Sequence, residues 1–367
     1  MLSGEISAEA CLFARIPVGL IVHSTFMITP AFLKNGDKIG IIATARKISR
    51  EEVDPAIRVF RSWGLEVVEG NYLYAVDNQF AGNDSSRASD LQQMLDDPSI
   101  RAIVCARGGY GTVRLLSGLD FTGFMQHPKW IVGYSDITVL HSHIHRHLGV
   151  ETIHGIMPVN FPSGGSNSES VEVLRKCLFG EAPSYTVNPE VLSRKGYARG
   201  EVIGGNLSIL YSLGGTSSDT DTTGKILFIE DLDEYLYHID RMMMNLKLGG
   251  KLENLAGLVV GGMTDMRDNT VSYGHTAEEI IADAVKEFRY PVLFGFPAGH
   301  QQKNMPLILG REAVLNVDES NASLSFMQAG TGHRGGKLLN FLKPVAFIVG
   351  FFSLLYLLYS LLTGRGG

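Results

Sequence analysis

One nine-residue segment decides how this chain folds, and it reads Trp130-Ile131-Val132-Gly133-Tyr134-Ser135-Asp136-Ile137-Thr138. Its apolar beginning is typical of a buried strand, and Gly133 permits a tight bend at the strand's end. Apolar residues then recur at helical spacing, at Ile137, Leu140, Ile144 and Leu148. The pattern predicts a strand, an abrupt turn carrying Ser135, and a helix.

Ser135 at this turn has two interpretations. A serine at the carboxyl end of a strand lies beside the first N–H groups of the helix, which suits a nucleophile whose reaction develops an oxyanion. The segment is not the G-x-S-x-G elbow, because Ile137 occupies the place of the second glycine. The alternative is that Ser135 and Asp136 only cap the helix. The segment alone leaves both open.

Length and composition narrow the class of protein. A chain of 367 residues predicts two domains. Its net charge of −6, without a long basic run, argues against a nucleic-acid partner. Cys11, Cys105 and Cys177 are too few and too scattered for a disulfide framework or a zinc site, which favours a reducing compartment.

The first organised part alternates strands and helices. A short apolar strand at 39–45 precedes Ser49-x-x-Glu52, a capping box for a helix that runs to Trp63, and residues 65–68 form the next strand. This βαβ order predicts a parallel sheet.

A glycine-rich loop follows the third strand, which covers residues 102–106. The loop reads Arg107-Gly108-Gly109-Tyr110-Gly111, and its glycines let backbone N–H groups approach a ligand closely. It lacks both the G-x-G-x-x-G spacing and a P-loop lysine. An acyl-oxygen or carboxylate site is therefore as plausible as a nucleotide site.

The helix after Ser135 carries four histidines, at 141, 143, 145 and 147. His141 and His145 share a helix face and could ligate a metal, but no H-E-x-x-H arrangement accompanies them. We predict a solvated helix face and no metal. His154 follows another short strand and is a candidate for lining the same site.

Two further candidates lie in the second half of the chain. A buried strand at 225–229 ends at Glu230, and an apolar run from Pro291 ends at His300. Each alone could be structural. Together with Ser135 they supply, each just past a strand-like run, the nucleophile, acid and base that acyl transfer requires.

At this point the chain resembles the muramoyltetrapeptide LD-carboxypeptidases, a serine peptidase family that also includes microcin C self-immunity proteins. The similarity covers roughly residues 30–327. Its motifs are Ala106-Arg107-Gly108-Gly109-Tyr110-Gly111, Gly133-Tyr134-Ser135-Asp136, Gly204-Gly205-Asn206-Leu207, Glu230-Asp231 and Gly299-His300.

The resemblance implies an N-terminal parallel-sheet α/β domain carrying the nucleophile and a C-terminal, β-rich, barrel-like domain carrying the acid and the base. Ser135 would attack the amide between an L-centre, meso-diaminopimelate or L-Lys, and the terminal D-Ala of a murein tetrapeptide. His300 would be the base and Glu230 its partner, with the oxyanion held by the backbone N–H groups of Gly109 and Asp136. The resemblance implies no cofactor and suggests a homodimer.

The resulting domain plan has five parts. Residues 1–29 are an unassigned extension without a secretory signal, in which Met27 is a possible initiator. The α/β domain spans 30–180, with a linker near 180–195, and the β-rich domain spans 196–328. A basic, Gly-rich hinge at 329–343 leads to residues 344–362, an uncharged stretch of 19 residues that predicts a transmembrane helix. Arg334, Lys337 and Lys343 before this helix predict catalytic domains in the cytoplasm, anchored to the cytoplasmic membrane.

Two alternatives remain open. A microcin-immunity-like hydrolase would keep the triad but cleave an acyl-sulfamoyl or peptidyl-nucleotide, and residues 78–84 and 235–238 would distinguish it. A non-catalytic, membrane-tethered binder of peptides or nucleotides would use only the glycine-rich loop.

Overall fold

The computed structural model describes residues 27–162 and 168–329. The strands in these residues are β1 (Lys38–Ile42), β2 (Glu66–Glu69), β3 (Ile100–Cys105), β4 (Trp130–Gly133), β5 (Thr152–His154), β6 (Ser184–Val187), β7 (Gly196–Asn206), β8 (Ile226–Leu232), β9 (Gly257–Thr264), β10 (Val292–Leu293), β11 (Leu307–Leu309), β12 (Glu312–Val317) and β13 (Ala322–Phe326). The α-helices are α1 (Arg50–Ser62), α2 (Asp84–Asp96), α3 (Thr122–Gln126), α4 (Thr138–Leu148), α5 (Glu169–Leu178), α6 (Leu207–Leu213), α7 (Leu236–Leu248) and α8 (Ala277–Ala284).

The N-terminal sheet has the strand order β11-β5-β4-β3-β1-β2. Its strands β1 to β5 pair in parallel, as the βαβ order predicts. The capping box of α1 is also present, with Ser49 N donating to Glu52 Oε2 at 2.8 Å and Glu52 N donating to Ser49 Oγ at 3.3 Å. Parallel pairing places the carboxyl ends of β1, β3 and β4 at one edge, where loops converge.

The C-terminal sheet has the strand order β10-β9-β8-β7-β12-β13-β6. Strands β7 to β10 pair in parallel, and the remaining pairs are antiparallel. The long strand β7 pairs with β12 along its first half and with β8 along its second half. A bridge from Arg194 to Val292 of β10 brings the chain just before β7 to the far edge of this sheet.

The two sheets are interlocked. Strand β11 follows the predicted base in sequence, yet it pairs antiparallel with β5 at the edge of the N-terminal sheet. Beside it, Arg311 Nε and Nη2 donate to the two carboxylate oxygens of Glu151 at 3.1 and 2.5 Å, and both side chains are buried. One hydrophobic cluster contains residues of both sheets, including Trp130, Ile153 and Phe228. Strand β6 lies in the predicted linker, and the domain boundaries stay a prediction.

The fold class predicted from the sequence needs one correction. It included a transmembrane helix, whereas no helix in residues 27–162 and 168–329 is long and apolar enough to cross a membrane. The longest of them, α1, α2 and α7, have 13 residues each, about 20 Å against the roughly 30 Å of a bilayer core. The predicted span at 344–362 lies outside the described residues, as does most of the extension at 1–29. The described residues form a two-domain α/β fold, and the predicted membrane anchoring is not supported.

Candidate active site

A cleft of about 430 Å³ lies where the carboxyl edge of the N-terminal sheet meets the ends of β7 and β8. We call it the interdomain cleft. Ser135, Gly109 and His300 all line it, although they come from different loops of the chain. The fold therefore brings three of the predicted site residues to one cavity.

Ser135 occupies a strained position. It follows β4, opens a short 3₁₀ turn (Ser135–Ile137) ahead of α4, and has a backbone φ of 63°, in the left-handed region. A non-glycine residue there costs about 1 kcal/mol or more and is typical of functional turns. A Cβ atom added at Gly108 would lie 3.0 Å from Ser135 Oγ, so only a glycine lets the loop approach the hydroxyl this closely. The cap interpretation is wrong, because neither this turn nor α4 has a side-chain cap.

Asp136 points away from the cleft. Its Oδ2 accepts a hydrogen bond from Thr112 N at 2.8 Å, and burial raises the pKa of its carboxyl despite that bond. The carboxylate thus joins the glycine-rich loop to the start of α4. Within the described part of the chain, the backbone N–H groups of Gly109 and Asp136 donate no hydrogen bond. The oxyanion role of both amides stays a prediction.

Glu230 and His300 meet directly. His300 Nδ1 lies 2.7 Å from Glu230 Oε2, and His300 N donates to the same oxygen at 3.1 Å. Glu230 is fully buried inside β8, two residues before the strand ends and not past it as the sequence predicted. Gly299, with a φ of 100°, allows this contact, because a Cβ atom there would lie 2.6 Å from Glu230 Cβ. Since the carboxylate can only accept, His300 Nδ1 carries the proton and leaves Nε2 to act as a base.

The electrostatics of His300 favour its protonated form. Burial alone would lower the pKa of the imidazole, but the hydrogen bond to Glu230 and the charges of Glu230 and Asp231 outweigh it, so the pKa is raised above 6.5. Tyr134 also covers the imidazole, with ring centroids 4.8 Å apart, and its hydroxyl donates to Asn160 Oδ1 at 3.1 Å. Burial raises the pKa of Tyr134 to about 12, so its hydroxyl stays neutral.

Asn206 and Asp231 form a hydrogen-bond network beside the Glu230–His300 pair. Asn206 Nδ2 and Ser208 N donate to the two Asp231 oxygens at 2.8 and 2.9 Å, and Asn206 N donates to Thr138 Oγ1 at 3.0 Å. Burial, followed by the neighbouring charge of Glu230, raises the pKa of Asp231 to about 7. This network connects the acid strand β8 with the first turn of α4, and so with Ser135.

The histidines of α4 differ from their prediction. The prediction of a solvated helix face is wrong for His141, because this side chain is buried. Its ring nitrogens lie 2.9 Å from Gly133 O and 2.9 Å from Thr152 Oγ1. His145 lies 3.4 Å from Glu201. The prediction for His154 is also wrong, because its ring is fully buried against Phe228 and does not line the cleft. No group that could hold a metal ion occurs among the residues described.

Sequence reasoning missed several cleft residues, of which Arg46 and Asn160 are polar and come from the N-terminal domain. Arg46 lies just past β1, at the same sheet edge as Ser135, and that position was its only signal. Asn160 lies in a short 3₁₀ turn after β5, and nothing in the sequence indicated it.

The fold and the cleft define a two-domain α/β protein with a strained serine, a buried acid and a histidine at one interdomain site. Models of the LD-carboxypeptidase N-terminal and C-terminal domains match residues 39–155 and 199–315. The chain therefore belongs to the LD-carboxypeptidase family, and it is a serine-type carboxypeptidase.

Relatives and solved structures agree with this family. The chain is 38% identical over 300 residues to a probable murein peptide carboxypeptidase from Bacillus subtilis, covering 80% of this chain and 93% of that protein. It is 30% identical to the murein tetrapeptide carboxypeptidase of Pseudomonas aeruginosa, covering 76% and 92%. The structure of a muramoyltetrapeptide carboxypeptidase from Oxalobacter formigenes superposes with a TM-score of 0.73 at 28% identity, covering 80% of this chain and all of that one.

Proposed function

We propose that this protein hydrolyses the amide between an L-centre, meso-diaminopimelate or L-Lys, and the terminal D-Ala of murein tetrapeptides, in peptidoglycan recycling. The proposed substrate is based on two relatives, a probable murein peptide carboxypeptidase and a murein tetrapeptide carboxypeptidase. The mechanism is supported chiefly by the hydrogen-bonded Glu230–His300 pair, which shares one cleft with the strained Ser135.

The proposed reaction has two halves. Ser135 Oγ attacks the carbonyl carbon of the scissile amide while His300 Nε2 takes the hydroxyl proton. The oxyanion is held by the N–H groups of Gly109 and Asp136. The C–N bond then breaks, and His300 returns the proton to the amine of the leaving D-Ala. A water molecule, activated by the same imidazole, hydrolyses the acyl-enzyme ester and restores Ser135.

Ser135→Ala tests the nucleophile. The variant removes only one oxygen atom from a residue that lines the cleft, so it should fold like the wild type. The rate of D-Ala release should fall by about 10⁴-fold or more. The measurement is D-Ala release from tetrapeptide by the purified proteins, with circular dichroism to compare their folding. Turnover near the wild-type level in a folded Ser135→Ala protein would refute the assignment.

Covalent labelling separates this proposal from the non-catalytic alternative. A fluorophosphonate should label wild-type Ser135, and neither Ser135→Ala nor His300→Gln should be labelled at a comparable rate, because the probe needs the activated hydroxyl. A wild-type protein that is not labelled would favour a binder. The matched control is Ser208→Ala, which removes the other serine hydroxyl of the cleft; that hydroxyl donates to Asn206 Oδ1 at 2.8 Å, and Ser135 should still be labelled without it.

A second candidate function has a weaker basis. The chain is 25% identical to a microcin C7 self-immunity protein of Escherichia coli, covering 79% of this chain and 93% of that protein. Comparing hydrolysis of tetrapeptide with that of a processed microcin by the same preparation distinguishes the two. Faster cleavage of the microcin would replace the murein substrate while keeping the triad.

A further inference from the structure

Arg46 lies beside the glycine-rich loop of the interdomain cleft. Its backbone N donates to Gly108 O at 3.3 Å, so its position is coupled to the loop that contacts Ser135. Its side-chain stem crosses Gly109, where an added Cβ atom would lie 2.6 Å from Arg46 Cδ and 3.4 Å from Nε. The guanidinium therefore emerges next to a backbone amide that is predicted to hold the oxyanion.

Arg46 differs from the other charged groups that line the cleft. Arg107 Nη1 is paired with Glu52 Oε1 at 3.2 Å. On the opposite wall, Asp233 accepts two hydrogen bonds from Arg267 at 2.5 Å each, and Glu234 lies 2.6 Å from His238. Within the described residues, the Arg46 guanidinium forms no ion pair and no hydrogen bond. A guanidinium with its donors free is suited to bind a carboxylate through two parallel hydrogen bonds.

We propose that Arg46 binds the α-carboxylate of the C-terminal residue that the enzyme releases. This inference rests on the proposed function. In a peptide cut before its last residue, the α-carboxylate lies one residue beyond the reacting carbonyl, about 4 Å away. Arg46 adjoins the glycine-rich loop and is hydrogen-bonded to it through Gly108. Its charge therefore lies in the part of the cleft where the α-carboxylate would be expected. Arg46 thereby makes the enzyme select a free chain end, which is what restricts it to a single terminal residue.

The experiment compares two peptides, a tetrapeptide with a free terminal carboxylate and the same peptide ending in D-alaninamide. Wild type should hydrolyse the acid with a kcat/KM about 10- to 100-fold above that of the amide, since one charge-assisted contact is lost in the amide. Arg46→Gln should reduce kcat/KM for the acid by a similar factor and change it little for the amide. Arg46→Lys should restore part of the preference.

Controls and a binding measurement make each outcome decisive. Arg107→Gln changes the other cleft arginine and should keep the preference for the acid. Calorimetric binding of both peptides to Ser135→Ala, with and without Arg46→Gln, should give the same pattern without turnover. Equal losses for acid and amide in Arg46→Gln, or no preference in the wild type, would overturn the inference while leaving the proposed function intact. If the wild type neither binds nor hydrolyses either peptide, the proposed function fails and this inference with it.

Discussion

Glu230 has two oxygens in very different situations. Oε2 is held by His300, whereas Oε1 is buried without a hydrogen-bond partner in the described part of the chain. A buried carboxylate this poorly satisfied is costly unless a cation forms beside it. The arrangement therefore stabilises the imidazolium, which is the state of His300 after it takes the serine proton. The same interaction between Glu230 and the imidazolium raises the pKa of His300.

The pH profile should report this interaction. The reaction needs neutral His300, so kcat/KM should rise with pH through the raised pKa of His300, above 6.5. Glu230→Gln removes the negative charge, lowers that pKa and should move the acid limb to lower pH. At the same time the plateau should fall by about 10³- to 10⁴-fold, because the imidazolium and its tautomer lose their partner. The measurement is kcat/KM of both proteins across the acid range.

Asp233→Asn is the control for this shift. Asp233 lines the same cleft but is paired with Arg267, and it is not among the groups that shift the pKa of His300. Its variant should leave the acid limb where it is in the wild type. An acid limb that stays in place in Glu230→Gln, or that moves equally in Asp233→Asn, would contradict the electrostatic account.

Helix α4 follows the turn that carries Ser135, and His141 fixes this helix to the N-terminal sheet through two hydrogen bonds. Gly133 O can only accept, so His141 Nε2 donates to it, and Nδ1 accepts from the Thr152 hydroxyl. Burial lowers the pKa of His141 to about 4, which keeps the ring neutral and this tautomer fixed. The helix is thereby joined to the last residue of β4 and the first residue of β5.

His141→Phe should therefore weaken the fold. The variant fills a similar volume but leaves the Thr152 hydroxyl buried without a partner and Gly133 O bonded only to Gly155 N, which costs about 1–3 kcal/mol of unfolding free energy. Urea unfolding measures this loss. His147→Phe, an exposed change on the same helix, should stay within about 0.5 kcal/mol of the wild type. Equal stabilities of the two variants would show that the buried hydrogen bonds contribute nothing.

The elements around the site were largely predictable, for physical reasons. Hydrophobic periodicity indicated β4 and α4, and Gly133 marked the bend. The structure adds that a Cβ atom at Gly133 would lie 2.8 Å from Ile137 Cγ1, so the isoleucine in place of a second glycine packs onto the bend. The positions of Glu230 and His300 after strand-like runs made them candidates, whereas a shared site with Ser135 was implied only by the family resemblance.

Other features could not be read from the sequence. The burial of His141 depends on which helix face meets β5, and a histidine is compatible with either face. Strand β11 is a three-residue apolar run that fits the edge of any sheet. Arg46 is exposed in the structure too, and only the glycine-rich loop beneath its side chain distinguishes it from other surface arginines. In each case the missing information is a contact between residues far apart in the chain, which local pattern does not encode.

The two domains of the molecule are bound to each other strongly enough that we do not expect them to unfold separately. The C-terminal part of the chain supplies β11 to the N-terminal sheet, and Arg311, just beyond β11, pairs with buried Glu151. If the C-terminal sheet unfolded alone, it would strip β11 from β5 and leave one charge of this pair uncompensated. Breaking a buried ion pair costs about 3–5 kcal/mol, so partial unfolding is strongly disfavoured.

We therefore expect a single unfolding transition, although a chain of this size commonly shows more than one. Both tryptophans, Trp63 and Trp130, lie in the N-terminal half, so their fluorescence reports that domain, while far-ultraviolet circular dichroism reports all the secondary structure. The two denaturation curves should coincide. Arg311→Met should lower the common midpoint without separating the curves, because β11 would still bind the two sheets together. Fluorescence and circular dichroism curves with distinct midpoints in the wild type would show instead that the sheets unfold independently and that the interlock contributes little to cooperativity.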